Sequence, residues 1–251
     1  MISDPLFYAA AIPAVIITGI SKAGFGTGLG IVAVPLIALT VPASQAAAIM
    51  LPILCVMDLA ALWAYRGLWS RENMKIMLPG GLAGIVLGSL TFRFVSEGGL
   101  KLLLGAIAIG FLLQRGFSAS ARQEKTSPHR MKGYFWATLS GFTSTLAHAG
   151  GPPMSIYLLP QKMDKALLVG TTVVFFTAVN YIKLIPYSVL GLFDTSNLAT
   201  SAGLVPLGVF GIFCGVWFRK IIPEALFYRL CYSFLFVAGI KLLYDGAAKL
   251  I

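Results

Sequence analysis

Apolar runs of membrane-crossing length alternate along this chain with short polar turns. Residues 45–65, 166–190 and 197–218 each come close to the about 20 apolar residues that a hydrocarbon core of about 30 Å requires. Each half also carries an apolar run that a Gly-rich stretch interrupts near its middle. The first break is Gly19-Ile-Ser-Lys-Ala-Gly-Phe-Gly-Thr-Gly-Leu-Gly30, and the second runs from Ser140-Gly-Phe-Thr-Ser-Thr through Leu-Ala-His-Ala to Gly150-Gly-Pro-Pro-Met-Ser155. A helix broken at membrane depth leaves backbone N–H and C=O groups unpaired, which hydrocarbon does not tolerate. Such breaks persist where the backbone lines a cavity or binds a ligand, and a pair in corresponding positions points to a secondary transporter.

The two halves echo each other. A shift of 122 places Gly19 on Gly141, Gly28 on Gly150 and Asp58 on Asn180. A shift of 124 carries Gly67-Leu68 to Gly191-Leu192 and Asn73 to Asn197, and one of 127 carries Gly81, Gly84 and Gly88 to Gly208, Gly211 and Gly215. The preserved order of break, span, turn and Gly-spaced span argues for an internal duplication. Gly80, Gly84 and Gly88 form a GxxxGxxxG ridge that Gly211 and Gly215 repeat, the pattern by which membrane helices approach backbone to backbone.

Charge decides the orientation of the repeats. If each broken run crosses once, Lys and Arg outside the membrane divide 10 against 7 between the two sides. If each run enters and returns as a hairpin, the loops at 66–75, 115–132, 161–165 and 219–229 fall on one side with 13, against 4 on the other. The positive-inside rule selects the hairpins. Segments 6–19 and 28–39 are also short for a crossing at about 1.5 Å per residue. The expected fold is an all-α polytopic membrane protein of two inverted repeats, each a re-entrant hairpin of broken helices plus three transmembrane helices. Residues 1–114 form the first repeat, 115–132 a cytoplasmic linker and 133–251 the second repeat. Both termini fall outside, and the hairpin tips meet near the midplane.

Composition agrees: 58% of the 251 residues are hydrophobic and 11% charged, against roughly a quarter charged in soluble domains. The net charge of +10 sits mostly in loops facing anionic lipid, so no nucleic-acid partner is expected. Cys55, Cys214 and Cys231 lie in apolar stretches without CxxC spacing and read as packing residues. With Asp4 and no Lys or Arg before Lys22, the N-terminal run is expected to be a membrane segment rather than a cleaved signal. With two histidines and no Cys/His cluster, neither a metal nor another cofactor is expected. No nucleophile–base–orienter set appears either, although Ser144 and His148 are four apart, so the chain does not read as an enzyme.

The breaks carry the candidate chemistry. A half-helix N-terminus presents unpaired N–H groups and about half a positive charge, and Pro152-Pro153 after Gly150-Gly151 suits the first turn of a new helix. An anion is therefore expected between the breaks, bound by backbone around Gly26, Thr27, Gly28 and Gly30 and around Gly150, Gly151 and Met154. Hydroxyls of Ser21, Thr27, Thr143, Ser144 and Thr145 are available as further donors. Lys22 in the first break can neutralise the anion, or it can snorkel or pair with another side chain. His148 in the second can donate, carry a proton, or be structural. Asp58, with Asn180 opposite it and Lys183 one turn beyond, has two readings: an ion pair with Lys183 or Lys22, or a carboxylate that couples transport to a proton. Gly28→Val and Gly150→Val are expected to block the anion, and Gly84→Ala to matter much less.

The GISKAGFGTGLGIVAVPL segment, the GFTSTLAHAGGPPMSIYLLP segment and the duplicated layout resemble the sulfite exporter TauE/SafE family, from about residue 8 to residue 245. That resemblance implies a multi-pass carrier of the bacterial inner membrane, exporting small sulfur-containing anions such as sulfite or organosulfonates. The residues themselves leave open a channel or facilitator for a small anion or neutral solute, a permease for a non-sulfur anion, a coupling proton or sodium ion, and a homodimer.

Overall fold

The structure, a computed structural model, describes residues 1–22, 30–117, 126–218 and 224–249. All its regular elements are helical. They are α1 (Pro5–Ile20), a 3-10 turn at Gly30–Val32, α2 (Ala33–Ile37), α3 (Ala43–Ala64), α4 (Arg71–Phe94), α5 (Glu97–Phe117), α6 (Arg130–Ala147), α7 (Gly151–Leu158), α8 (Lys165–Val189), α9 (Thr195–Phe218) and α10 (Glu224–Ala248). Six of them, α3, α4, α5, α8, α9 and α10, are long and apolar enough to cross a membrane. The remaining pairs, α1 with α2 and α6 with α7, contain the two Gly-rich breaks.

Local chemistry sets the helix starts. Asp4 accepts from Leu6 N at 2.9 Å with Pro5 at the first position of α1, and Asp164 accepts from Ala166 N at 2.9 Å at the start of α8. Ser70 caps α4 by accepting from Asn73 N at 3.2 Å. These side-chain oxygens satisfy N–H groups that a helix start otherwise leaves unpaired. The start of α3 has no local cap. The carboxylate of Glu97, 54 positions away, accepts from Ala43 N at 3.0 Å instead, fastening α5 to α3. Gly67 and Gly191 follow α3 and α8 with φ of 79° and 68°, a conformation that a Cβ disfavours.

Both broken segments begin and end at the same end of the bundle. Thr126 N donates to Pro160 O at 3.0 Å, so the chain returns after α7 to where α6 starts. In the first half, Ile2 N donates to Thr200 Oγ1 at 3.1 Å and Gln45 Nε2 to Asn197 Oδ1 at 2.8 Å, placing both ends of that segment beside the first turns of α9. The hairpins enter from opposite ends, because α9 starts at one end and α6 at the other.

Each hairpin packs on a span of the other half. α1 runs along α9, where a Cβ at Gly19 would lie 2.6 Å from Gly208 O, and one at Gly215 would lie 2.6 Å from Ile20 O. α6 runs along α4, where a Cβ at Gly80 would lie 2.6 Å from Tyr134 O and one at Gly84 would collide with Thr138 O. α3 and α8 lie antiparallel, with Cys55 near Tyr181 and Ala61 near Val169 and Val173. α5 and α10 are antiparallel too, Gly246 meeting Gly98 and Leu102 while Ala108 meets Gly239. α3 is the central helix, 67% buried in its apolar window.

This packing corrects the expectation that Gly84→Ala is mild. The atoms that its Cβ would meet are the backbone of Thr138, Gly141 and Phe142, which cannot swing away. Gly84→Ala is expected to lower the melting temperature of detergent-solubilised protein markedly. Gly110→Ala, with nothing within 4 Å of the added carbon, is expected to be neutral or stabilising by about 0.5–1 kcal/mol. Equal melting temperatures for the two variants would contradict the ridge contact.

Candidate functional site

The second break is built to keep its backbone satisfied. α6 ends on His148, whose φ of 51° is left-handed. Its N–H donates to Ser144 O at 3.0 Å and that of Ala149 to Thr143 O at 3.2 Å, the two-bond C-terminal motif that glycine usually completes. A histidine here pays a conformational cost of roughly 1–2 kcal/mol, which points to a need for its imidazole. Ser140 Oγ donates to Gly150 O at 2.7 Å and Thr143 Oγ1 to Ala149 O at 3.1 Å, so these hydroxyls hold the turn. Pro152 and Pro153 then open α7, where missing N–H groups cost nothing.

The first break brings Ser21 and Lys22 to the end of α1, opposite Ser144 and His148. A cavity of about 100 Å³ lies between them, lined by Thr18, Ser21, Lys22, Ser144, His148 and Gly151, together with Asn180 and Thr172 of α8. Its remaining wall is apolar: Ile31, Leu54, Val169, Val173 and Phe176. A single water needs roughly 10–15 Å³ by this measure, so the space admits a small polyatomic anion.

Five ionisable or amide groups surround the cavity in two clusters. Lys22 Nζ lies 2.5 Å from Asp58 Oδ1, and Asn180 Nδ2 donates to Asp58 Oδ2 at 2.6 Å. Asp58 has no solvent exposure. Lys183, equally buried, donates to Ser144 O at 2.9 Å and Ser144 Oγ at 3.0 Å, and lies 2.8 Å from His148 Nδ1. An ammonium only donates, so Nδ1 is the acceptor. The ring's hydrogen therefore sits on Nε2, 3.0 Å from Ala47 O, and this network assigns a neutral imidazole. Lys183 also sets a cation on the carbonyl end of α6, where the helix dipole favours it.

Lys22, Ser144, His148, Gly151 and Asn180 thus meet at one cavity, with Asp58 and Lys183 directly behind them. The ion pair is Asp58 with Lys22; Lys183 pairs with neutral acceptors. Met154 is buried against α4 and α8, and its N–H donates to Gly150 O at 3.3 Å, so it is not a free donor. Gly150 adjoins Ser140 and Phe176, and a Cβ there would lie 2.6 Å from the Phe176 ring; Gly150→Val thus disturbs packing before it can report on an anion. Thr145 donates to Gly141 O at 2.8 Å and packs against Gly88, away from the cavity. Gly30 opens the 3-10 turn leading to α2, while Gly26, Thr27 and Gly28 lie outside the described residues. Thr18 and Thr172 were missed by the sequence reading. Their only signal is a hydroxyl within an apolar run, and each donates to its own helix, to Ala14 O and Leu168 O.

A family model described as sulfite exporter TauE/SafE matches residues 11–242 of the chain. Neither a curated protein nor a solved structure matches it.

Removing the carboxylate tests the pairing. Asp58→Asn leaves Lys22 without its counter-charge and is expected to destabilise the protein by about 3 kcal/mol, measured as denaturant midpoint in detergent. Adding Lys22→Met is expected to recover most of that loss, whereas adding Lys183→Met is not. Recovery by Lys183→Met instead would assign the pair wrongly.

Proposed function

The chain belongs to the sulfite exporter TauE/SafE family, and from that membership we propose that it is a secondary carrier of small sulfur-containing oxyanions, sulfite or organosulfonates, held between the tips of two broken hairpins near the middle of the membrane. The observation that carries this reading is the convergence of Lys22, Ser144 and Gly151 on one cavity from hairpins entering at opposite ends. Lys22 has two N–H groups beyond the one on Asp58. Ser144 Oγ, which accepts from Lys183, keeps its hydrogen to donate. Gly151 opens α7, and because Pro152 and Pro153 carry no N–H and that of Met154 donates to Gly150 O, the donor this turn offers an anion is the Gly151 N–H, helped by the helix dipole. The apolar wall of Val169, Val173 and Phe176 suits the carbon substituent of a sulfonate. The chemistry is binding and release, with no bond made or broken.

Two inverted repeats supply the frame for alternating access. In favour of that arrangement, α3 and α8, and likewise α5 and α10, correspond in the duplication and lie antiparallel, as a two-fold axis in the membrane plane requires. The prolines inside α4 and α9, Pro79 and Pro206, match at the same shift of 127 as the glycine ridges. The end carrying Arg66, Arg71, Lys75, Arg130, Lys132 and Lys162 is assigned to the cytoplasm, and both termini to the opposite face.

Reconstituted protein is expected to take up radiolabelled sulfite, with Lys22→Ala reducing uptake at least about tenfold and Lys22→Arg retaining part of it. Uptake that ignores imposed pH and sodium gradients and never saturates would favour a channel. Uptake unchanged in a folded Lys22→Ala variant would overturn the site. For the topology, Ser127 is exposed. In a background lacking Cys55, Cys214 and Cys231, Ser127→Cys is expected to resist impermeant thiol reagents in intact cells. Labelling from outside would reverse the orientation.

A further inference from the structure

We infer that the cavity selects monovalent anions, hydrogen sulfite or a sulfonate, over dianions such as sulfite or sulfate. The inference rests on the reading of this cavity as the anion site. It comes from counting the charges around it. Lys22 and Asp58 cancel across 2.5 Å. Lys183 does not cancel: its three donors meet a carbonyl, a hydroxyl and an imidazole nitrogen, and no carboxylate lies within ion-pair distance of it among the described residues.

His148 cannot supply a second positive charge in this geometry. Protonating Nδ1 would set an N–H against the Lys183 ammonium at 2.8 Å, and Nε2 is already committed to Ala47 O at 3.0 Å. Tyr187, the further titratable group beside His148, donates to Thr145 O at 2.5 Å and is neutral near pH 7. With Lys183 carrying its proton and the neighbouring Cys55 a neutral thiol, the charge around the site is +1. A Lys183 that lost its proton would weaken methanesulfonate inhibition as pH rises, which the constant inhibition expected below excludes. A monoanion brings the loaded site to zero. A dianion leaves one negative charge uncompensated at membrane depth, where ionisable groups are costly.

The test uses proteoliposomes of the unaltered protein and two competitors of fixed charge at equal ionic strength, methanesulfonate and sulfate. Methanesulfonate is expected to inhibit uptake of radiolabelled sulfite at a concentration about tenfold or more below that of sulfate. As pH rises from about 6 to about 8, sulfite uptake is expected to fall with the fraction of hydrogen sulfite, while inhibition by methanesulfonate stays constant. Asp58→Asn raises the fixed charge by one and is expected to move the preference toward sulfate; the unaltered protein decides the matter where that variant does not fold. Sulfate competing as well as methanesulfonate, or uptake that rises with the dianion fraction, would overturn the charge count. No sulfite uptake at any pH, with neither anion stabilising the protein in detergent, would instead overturn the carrier reading beneath it.

Discussion

The buried carboxylate of Asp58 is the contact on which the centre of this molecule depends. A charge at membrane depth must be matched within the protein, because lipid offers neither counter-ion nor water. Asp58 is matched twice, by Lys22 at the end of α1 and by Asn180 in α8. One side chain of α3 thereby fastens the tip of the first hairpin to a span from the second half. An ion pair of this kind contributes little net stability against a well-packed apolar alternative, but it is costly to break on one side. Its consequence is positional: Lys22 is held at the cavity wall, where Asp58 is its one partner among the described residues.

The second tip solves the same problem differently. Among the described residues no carboxylate meets Lys183 there. The ammonium is spread over Ser144 and His148, and His148 adopts a left-handed backbone that brings its ring into that network. The two halves share a plan but differ in charge, and the difference leaves the cavity with a positive excess facing an opening of small-anion size. The glycine ridges supply the other half of the arrangement. With no Cβ at Gly19, Gly141 or Gly84, α1 and α6 each lie backbone to backbone on a span of the opposite half.

Much of this was legible in the residues. Six spans, two broken segments and the ridges follow from hydropathy, Gly spacing and the distribution of Lys and Arg, because hydrocarbon imposes those patterns strongly. The shift of 122 marked residues 58 and 180 as equivalent positions, but their hydrogen bond is seen only in the fold. The ion-pair partner of Asp58 was not legible either, since Lys22 and Lys183 both lie inside apolar runs and only the fold shows which ammonium arrives. The strictness of Gly84 was also hidden: a GxxxG pattern does not say how near the facing backbone comes. Glu97 closing the start of α3, and the hydroxyls of Thr18 and Thr172 at the cavity, depend on long-range packing that leaves little trace in local sequence. Met154 stood at the right distance from the break, yet the first turn of α7 uses its N–H internally.

The most direct measurement is anomalous diffraction from crystals soaked with selenite, a heavier oxyanion of the same pyramidal shape as sulfite. The account requires one selenium peak in the cavity between the two breaks, with its oxygens within hydrogen-bond distance of Lys22 Nζ, Ser144 Oγ and the backbone of Gly151. It also requires the Lys22 to Asp58 contact to persist beside the bound anion. A cavity without selenium in crystals that bind it elsewhere, or a peak seated only on exposed lysines at an end of the bundle, would contradict it.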